Sequence, residues 1–130
     1  MPHVIVEYSA NLADHVDVQG LIDDIHAAVM PLKLADVAAL RVRAAPRPYW
    51  RIADGNPDNI FIAATARLRV GRSVEQREVL GKAILGAIEG RLGAVLDNEA
   101  VGITVEIHEI DHMTFRRNTI RERLQQKEQA

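Results

Sequence analysis

Apolar and polar residues alternate at the very start of the chain, which predicts a β-strand over residues 3–8. Val4, Val6 and Tyr8 would face the core, and the residues between them would lie on the opposite face. Three later segments alternate in the same way and predict further strands at residues 40–44, 60–70 and 103–107.

Helical periodicity follows the first strand. Between Leu21 and Val29 an apolar residue recurs at every fourth position, which predicts a helix over residues 18–30. Asp17 is placed to act as the N-cap, and Pro31 would end the helix because it cannot continue the backbone hydrogen bonding.

A second, longer helix is predicted after Gly71, which ends the third strand. Ser73 and Gln76 have the spacing of a capping box, in which each side chain satisfies an exposed backbone donor of the other residue. From Leu80 to Leu92 a stripe of apolar residues at four-residue spacing marks the buried face.

Two segments lie outside these elements. Residues 46–54 contain proline and aromatic residues and precede a turn, so we expect a short hairpin or a lid-like excursion. The polar stretch 118–129 begins with a second capping box, Thr119 and Glu122, and predicts a terminal helix.

The order of elements is therefore β-α-β, an excursion, β-α-β and a tail. This order predicts one α+β (α/β) domain over residues 1–130, with a pseudo-repeat at 2–45 and 59–110 and a C-terminal arm at 113–130. Two βαβ units in one sheet would give four strands in a mixed sheet, with both helices on one face.

Composition narrows the function classes. With 130 residues, 48% apolar residues and a net charge of -2, the chain should fold, and nothing in its charge favours nucleic acid as a partner. It has no cysteine, and its histidines lack metal-ligand spacing, so no metal site is expected. No signal peptide or membrane-spanning run is apparent, so a cytoplasmic location without membrane contact is expected.

Three stretches carry a resemblance to a known family. They are MPHVIVE at the start, LRVR followed by WRIADG, and the run GRSVEQR, which lie at residues 1–7, 40–43, 50–55 and 71–77. In this order and spacing they resemble the 5-carboxymethyl-2-hydroxymuconate isomerase family of the tautomerase superfamily, from Pro2 to about Leu124. The GRSVEQ run is also similar to the short 4-oxalocrotonate tautomerases, which consist of one βαβ unit.

The resemblance implies a tautomerase-type fold and a cofactor-independent isomerase that assembles as a homotrimer. Pro2 would be the catalytic residue, as an N-terminal proline, and a small carboxylate would be the substrate. Arg72 would bind that substrate together with Arg41, Arg43 or both, because arginine offers carboxylates a fixed fork of donors. Trp50 would form a wall of the site and keep the amine dry.

A terminal proline suits this chemistry because an isomerase needs a base whose pKa lies near neutrality. An α-amine has a pKa of about 8 before any perturbation. Burial and nearby arginines would both lower that pKa, because both disfavour the cation. The mechanism requires that Met1 be removed, since otherwise the Pro2 nitrogen is an amide.

Other interpretations stay open at this point. Each residue alone has an ordinary structural explanation, such as a solvated sheet face for Arg41 and Arg43. Another proline-dependent activity, such as a phenylpyruvate-type tautomerase, a dehalogenase or a decarboxylase, is one alternative. Those of these activities that add water to the substrate need an extra acidic or histidine group to activate the water. Glu106 or His26 could be proposed for that role. A non-catalytic binding or assembly protein of the same fold is another alternative.

Overall fold

The computed structural model describes residues 2–34 and 36–129. Within these residues, four strands and four α-helices follow one another, with short 3-10 turns at Ala10–Asp14 and Met30–Leu32. In order they are β1 (His3–Ser9), α1 (Val18–Val29), β2 (Arg41–Arg47), β3 (Ile60–Arg69), α2 (Val74–Leu92), α3 (Val95–Asn98), β4 (Val101–Ile110) and α4 (Thr119–Gln129).

The strands form one mixed sheet in the order β2-β1-β3-β4. Within each half of the chain the two strands are parallel, β1 with β2 and β3 with β4, and a helix connects them. The halves meet where β1 runs antiparallel to β3. The predicted pair of βαβ units in a mixed sheet is thereby confirmed.

The core lies between the helices and one face of the sheet. Every second residue of β1 and β3 is buried there, and the apolar stripes of α1 and α2 cover them. Residues of this core with no more than 1% of their surface exposed include Val4, Val6, Leu21, Ile25, Ile62, Ala66, Leu80, Ile84 and Ile88. The predicted helices on one face are confirmed.

The opposite face of the sheet is not covered by any helix of the described residues, and we call it the open face. Alternation places Ile5, Phe61, Ala63 and Ile110 on it, and all of them are partly exposed. A sheet of this kind normally buries both faces when both carry apolar residues.

Several boundaries differ from the sequence-based prediction. β2 runs on to Arg47 and β4 spans Val101–Ile110, because pairing with a neighbouring strand extends alternation beyond its apolar part. Of the two alternatives for residues 46–54, the hairpin is wrong, because residues 48–59 form an excursion of turns and irregular chain without strand pairing. Prolines in this stretch lack backbone donors, and Asn59 binds the Ile52 carbonyl and the Asp54 carboxylate instead.

The helix caps also differ in part. Ser73 and Gln76 form the predicted capping box, with both bonds present. In α4 the predicted box at Thr119 is wrong, because the carbonyl oxygen of the Asn118 side chain accepts from the Ile120 N–H at 2.9 Å and so caps the helix. Asp17 occupies the N-cap of α1 without a side-chain hydrogen bond.

None of the described helices is long and apolar enough to cross a bilayer.

Candidate active site

Pro2 immediately precedes the central strand β1 and is fully buried. Its carbonyl oxygen accepts a hydrogen bond from the Arg41 N–H at 3.3 Å, which ties the start of β1 to the start of β2. On its other side, β3 pairs with β1 from His3 opposite Arg67. A bond to β2 therefore holds Pro2 itself, and β3 holds the residue that follows it.

A basic cleft of about 320 Å³ opens beside this strand start. We call it the large cleft. Its walls come from the first residues of β1 and β2, from β3, and from the C-terminal arm: His3, Ala39, Arg41, Arg67, Ile110, Thr114, Phe115, Arg116, Arg117, Asn118 and Arg121. Five of these residues are arginines and none carries a carboxylate, so the large cleft is suited to an anionic ligand.

His3 lies between two of the predicted substrate-binding arginines. Its Nε2 is 3.3 Å from Nη1 of Arg41, and its Nδ1 is 3.3 Å from Nη1 of Arg43. A neutral imidazole has only one acceptor nitrogen, so His3 can accept from one arginine at a time. Partial burial, and then the charges of Arg41 and Arg43, lower the pKa of His3 below its ordinary value.

Arg72 is placed by a tight turn at the junction of β3 and α2. Gly71 adopts a φ of +114°, in the region that favours glycine, and Ser73 then caps α2. The Arg72 side chain donates to the carbonyl of Leu34. It lines a second cavity of about 150 Å³, the small cleft, together with Leu34, Asp36, Ala39, Arg69, Arg116 and Arg121.

The two clefts adjoin each other, because Ala39, Arg116 and Arg121 line both. Arg41 belongs to the large cleft and Arg72 to the small one. The structure therefore brings Pro2, Arg41 and Arg72 to one end of the sheet. Arg43 lies two residues further along β2 and contacts the other ring nitrogen of His3.

Trp50 lies elsewhere in the chain. It follows the far end of β2, where Arg47 pairs with Ser9, so the length of β1 separates it from Pro2. Seven strand residues span roughly 20 Å. Trp50 lines a separate groove in the turns after β2, with Tyr49 and Arg51 among its neighbours. Its predicted contact with the site cannot be made within one chain.

The arginines of the C-terminal arm were not anticipated from sequence. Arg116, Arg117 and Arg121 lie in a polar segment whose charges look like an ordinary solvated face. Arg67 carried a weak signal, because it alternates onto the face that His3 occupies. Within residues 2–34 and 36–129, no group of three or more histidine, aspartate and glutamate side chains could hold a metal ion.

Comparison with known proteins identifies the family. The family model for 5-carboxymethyl-2-hydroxymuconate isomerase matches residues 2–124. The 5-carboxymethyl-2-hydroxymuconate Delta-isomerase of Escherichia coli is 27% identical over 121 residues, which cover 92% of this chain and 96% of that protein.

Two solved structures share the fold along 95% of this chain and 93% of their own. A 5-carboxymethyl-2-hydroxymuconate isomerase from Deinococcus radiodurans R1 superimposes with a TM-score of 0.86 at 23% identity. A second structure, of a 5-carboxymethyl-2-hydroxymuconate delta-isomerase, does so with a TM-score of 0.83 at 24% identity. A proline-led first strand, a basic cleft at its start and a family match along almost the whole length agree, and this chain belongs to the 5-carboxymethyl-2-hydroxymuconate isomerase family of the tautomerase superfamily.

Proposed function

We propose that this chain converts 5-carboxymethyl-2-hydroxymuconate to 5-carboxymethyl-2-oxo-hex-3-ene-1,6-dioate, as an isomerase in the degradation of aromatic compounds. The observation that carries the proposal is the position of Pro2. It is buried at the start of β1. The next residue, His3, and its hydrogen-bond partner, Arg41, line the large cleft, which is basic and has no carboxylate in its lining. The activity of the Escherichia coli relative supports the same reaction.

The reaction moves one proton. The 2-hydroxyl group loses its proton as the ketone forms, the double bond shifts to carbon 3, and a proton is added at carbon 5. The Pro2 amine, freed by removal of Met1, takes up the first proton and delivers the second. Pro2 is buried and Arg41 is its hydrogen-bond neighbour, and both burial and a nearby cation disfavour a charged amine, so the freed amine would be poised as a base.

The arginines bind the charged ends of the substrate. Arg41 and Arg72 contact the 1-carboxylate, the 2-oxygen and the far carboxylate, and they stabilise the charge that builds on the oxygen during proton transfer. Arg43 lies close enough to take part in this binding, since it and Arg41 contact the two ring nitrogens of His3. No cofactor has a role in this mechanism.

The structure offers less to the rival activities that need a group to activate water. None of the residues that line the large cleft carries a carboxylate, and the Asp36 carboxylate of the small cleft is paired with Arg121 at 2.9 Å. Glu106 lies on β4, opposite Thr65, and its carboxylate is 3.1 Å from Nε2 of His108. His26 is on α1, in the helix layer, whereas His3 and Arg41 of the large cleft project from the open face. The isomerase is therefore the activity that the cleft supports best.

We further propose that the active form is a homotrimer, as the resemblance to the family implies. The apolar residues of the open face supply a surface for neighbouring subunits to cover. Closed cyclic symmetry would bury these faces without open-ended growth. In such an assembly, Trp50 of one subunit could approach Pro2 of a neighbouring subunit, although it cannot reach Pro2 of its own chain.

The test pairs two measurements on one preparation. Intact mass would show whether Pro2 is the first residue, and ultraviolet absorbance would follow the loss of 5-carboxymethyl-2-hydroxymuconate. We expect a mass without Met1 and rapid turnover. A mature chain that lacks Met1 but turns over no dienol would overturn the isomerase, and a chain that retains Met1 would favour the non-catalytic alternative.

A further inference from the structure

The C-terminal arm contributes an arginine that the proposed mechanism leaves unused. Arg116 lines both the large and the small cleft. Arg121 also lines both clefts, but it is paired with Asp36 at 2.9 Å. Among the described residues, Arg116 has no carboxylate within ion-pair distance, so its charge is available to a ligand.

The arm holds this arginine in place from both sides. Before it, the Asp111 side chain accepts from the Met113 N–H at 2.8 Å, and the Thr114 hydroxyl donates to the Asp111 carbonyl. After it, the Asn118 side chain donates to the carbonyl of Ala38 at 2.8 Å. A cation whose backbone is fixed in this way loses less entropy when it binds an anion.

One carboxylate of the substrate has no cationic partner in the proposed mechanism. 5-Carboxymethyl-2-hydroxymuconate has three carboxylates, two on the dienol chain and one on the carboxymethyl branch. Arg41 and Arg72 account for the two ends of the dienol chain, one in each cleft. The branch is on carbon 5, so its carboxylate and the 6-carboxylate lie close together at one end of that chain, which needs a second cation. Arg116 lines both clefts and so lies beside whichever of Arg41 and Arg72 binds that end.

We infer that Arg116 binds the carboxylate of the carboxymethyl branch, so that the C-terminal arm makes the site selective for a branched tricarboxylate. This inference rests on the proposed function, because it concerns the same site. An unbranched dienol dicarboxylate would leave Arg116 without a partner and would gain nothing from it. Arg116 is therefore a specificity-determining residue rather than part of the proton transfer.

The test compares kcat/KM for two dienols, 5-carboxymethyl-2-hydroxymuconate and 2-hydroxymuconate, which lacks the branch. We expect Arg116→Gln to lower kcat/KM for the branched substrate by at least about 10-fold, the effect of one lost charge-assisted hydrogen bond. The value for 2-hydroxymuconate should change less than about 2-fold, since no contact is lost. Arg116→Lys should recover part of the selectivity, because it restores the charge without the fork.

Arg123→Gln is the matched control, because Arg123 is an exposed arginine of α4 that lines neither cleft. It should leave both values unchanged. An equal loss on both substrates, or no loss on either, would overturn the inference while the isomerase activity stood.

A wild-type protein that turns over neither dienol would instead defeat the proposed function. The role of Arg116 is then decided by calorimetry with two unreactive probes, propane-1,2,3-tricarboxylate and glutarate. Tighter binding of the tricarboxylate, lost in Arg116→Gln, supports the inference. Equal binding of both probes, or a preference that the variant keeps, contradicts it.

Discussion

The side-chain amide of Asn118 donates a 2.8 Å hydrogen bond to the carbonyl of Ala38, 80 positions earlier in the chain. This bond attaches the C-terminal arm to the segment that leads into β2. A second attachment, the ion pair of Arg121 with Asp36, lies close by. α4 buries none of its own residues, so these polar contacts position the arm and with it the wall of the large cleft.

We expect Asn118→Asp to loosen the arm without unfolding the domain. The aspartate can still accept the Ile120 N–H and cap α4, but it cannot donate to Ala38. Hydrogen exchange should become faster in residues 119–129, while the melting temperature changes little because no core contact is lost. Gln126→Ala, an exposed position on the same helix, is the control. Unchanged exchange in the aspartate variant would show that other contacts hold the arm.

Much of this fold could be predicted because the sequence signals for its helices and strands lie within the elements themselves. Alternation at Val4 and Val6, and the capping box at Ser73, each act within a few residues. The cap at Asn118 was missed because Thr119 offered an equally good motif one residue later. Strand lengths were underestimated for a different reason, since β2 and β4 extend by pairing with neighbours that are distant in sequence.

The pKa of His3 provides a test of the geometry around Arg41. Its pKa is lowered by partial burial and by the charges of Arg41 and Arg43, so the imidazole takes up its proton at a lower pH than a free histidine. Removing one of these cations should raise the pKa, and protonation should begin at a higher pH. We expect this shift in Arg41→Ala by NMR titration of the His3 ring.

Arg47→Ala is the matched control for that titration. Arg47 lies on β2 like Arg41, but its guanidinium is paired with Glu7 at 2.7 Å. Its removal should leave the titration of His3 close to that of the wild type. If both variants shift the titration alike, the general charge of the chain controls it and the close contact of Arg41 does not.

The proline mechanism makes a graded prediction for the N-terminus. Pro2→Ala should lose much of the activity, because a primary amine is less rigid and has a different basicity. A chain with an extra residue before Pro2 should lose more, because the nitrogen becomes an amide. Rates are measured after intact mass has confirmed each terminus. Full activity in a chain that keeps Met1 would disprove the mechanism.

Anion recognition predicts losses for the arginines at the strand starts. We expect Arg41→Ala and Arg72→Ala each to cost about 1.5–3 kcal/mol in kcat/KM, the value of a charge-assisted hydrogen bond. Arg43→Ala tests whether the partner of His3 shares this role. Wild-type kinetics in all three variants would place the site elsewhere.

The site itself was only partly predictable. Arg41 and Arg72 could be proposed as site residues because short motifs surround them, and the structure brings them to the same end of the sheet as Pro2. Arg116 could not, because nothing local distinguishes it from a solvated arginine. Its position depends on contacts made by Asn118 and Asp111, one of them across most of the chain.

The last prediction is that the protein is a homotrimer in solution and that the open face is its interface. Ile5 lies on the central strand β1, between Arg43 and Thr65 of the neighbouring strands, and is partly exposed in the single chain. A glutamate there would be tolerated by a lone subunit, since its carboxylate can reach water and Arg43. Buried between subunits, it would carry the large cost of an enclosed charge.

Ile5→Glu should therefore convert the trimer to monomers, as measured by native mass spectrometry and light scattering at micromolar concentration. Val79→Glu is the matched control, because Val79 is a 50% exposed apolar residue of α2, in the layer away from the open face. It should leave the trimer intact. A wild-type monomer would contradict the assembly and leave Trp50 without a route to any Pro2, because the length of β1 separates the two within one chain. A dimer would leave the proline chemistry untouched and show that the number of subunits, which rests on the family resemblance, is wrong.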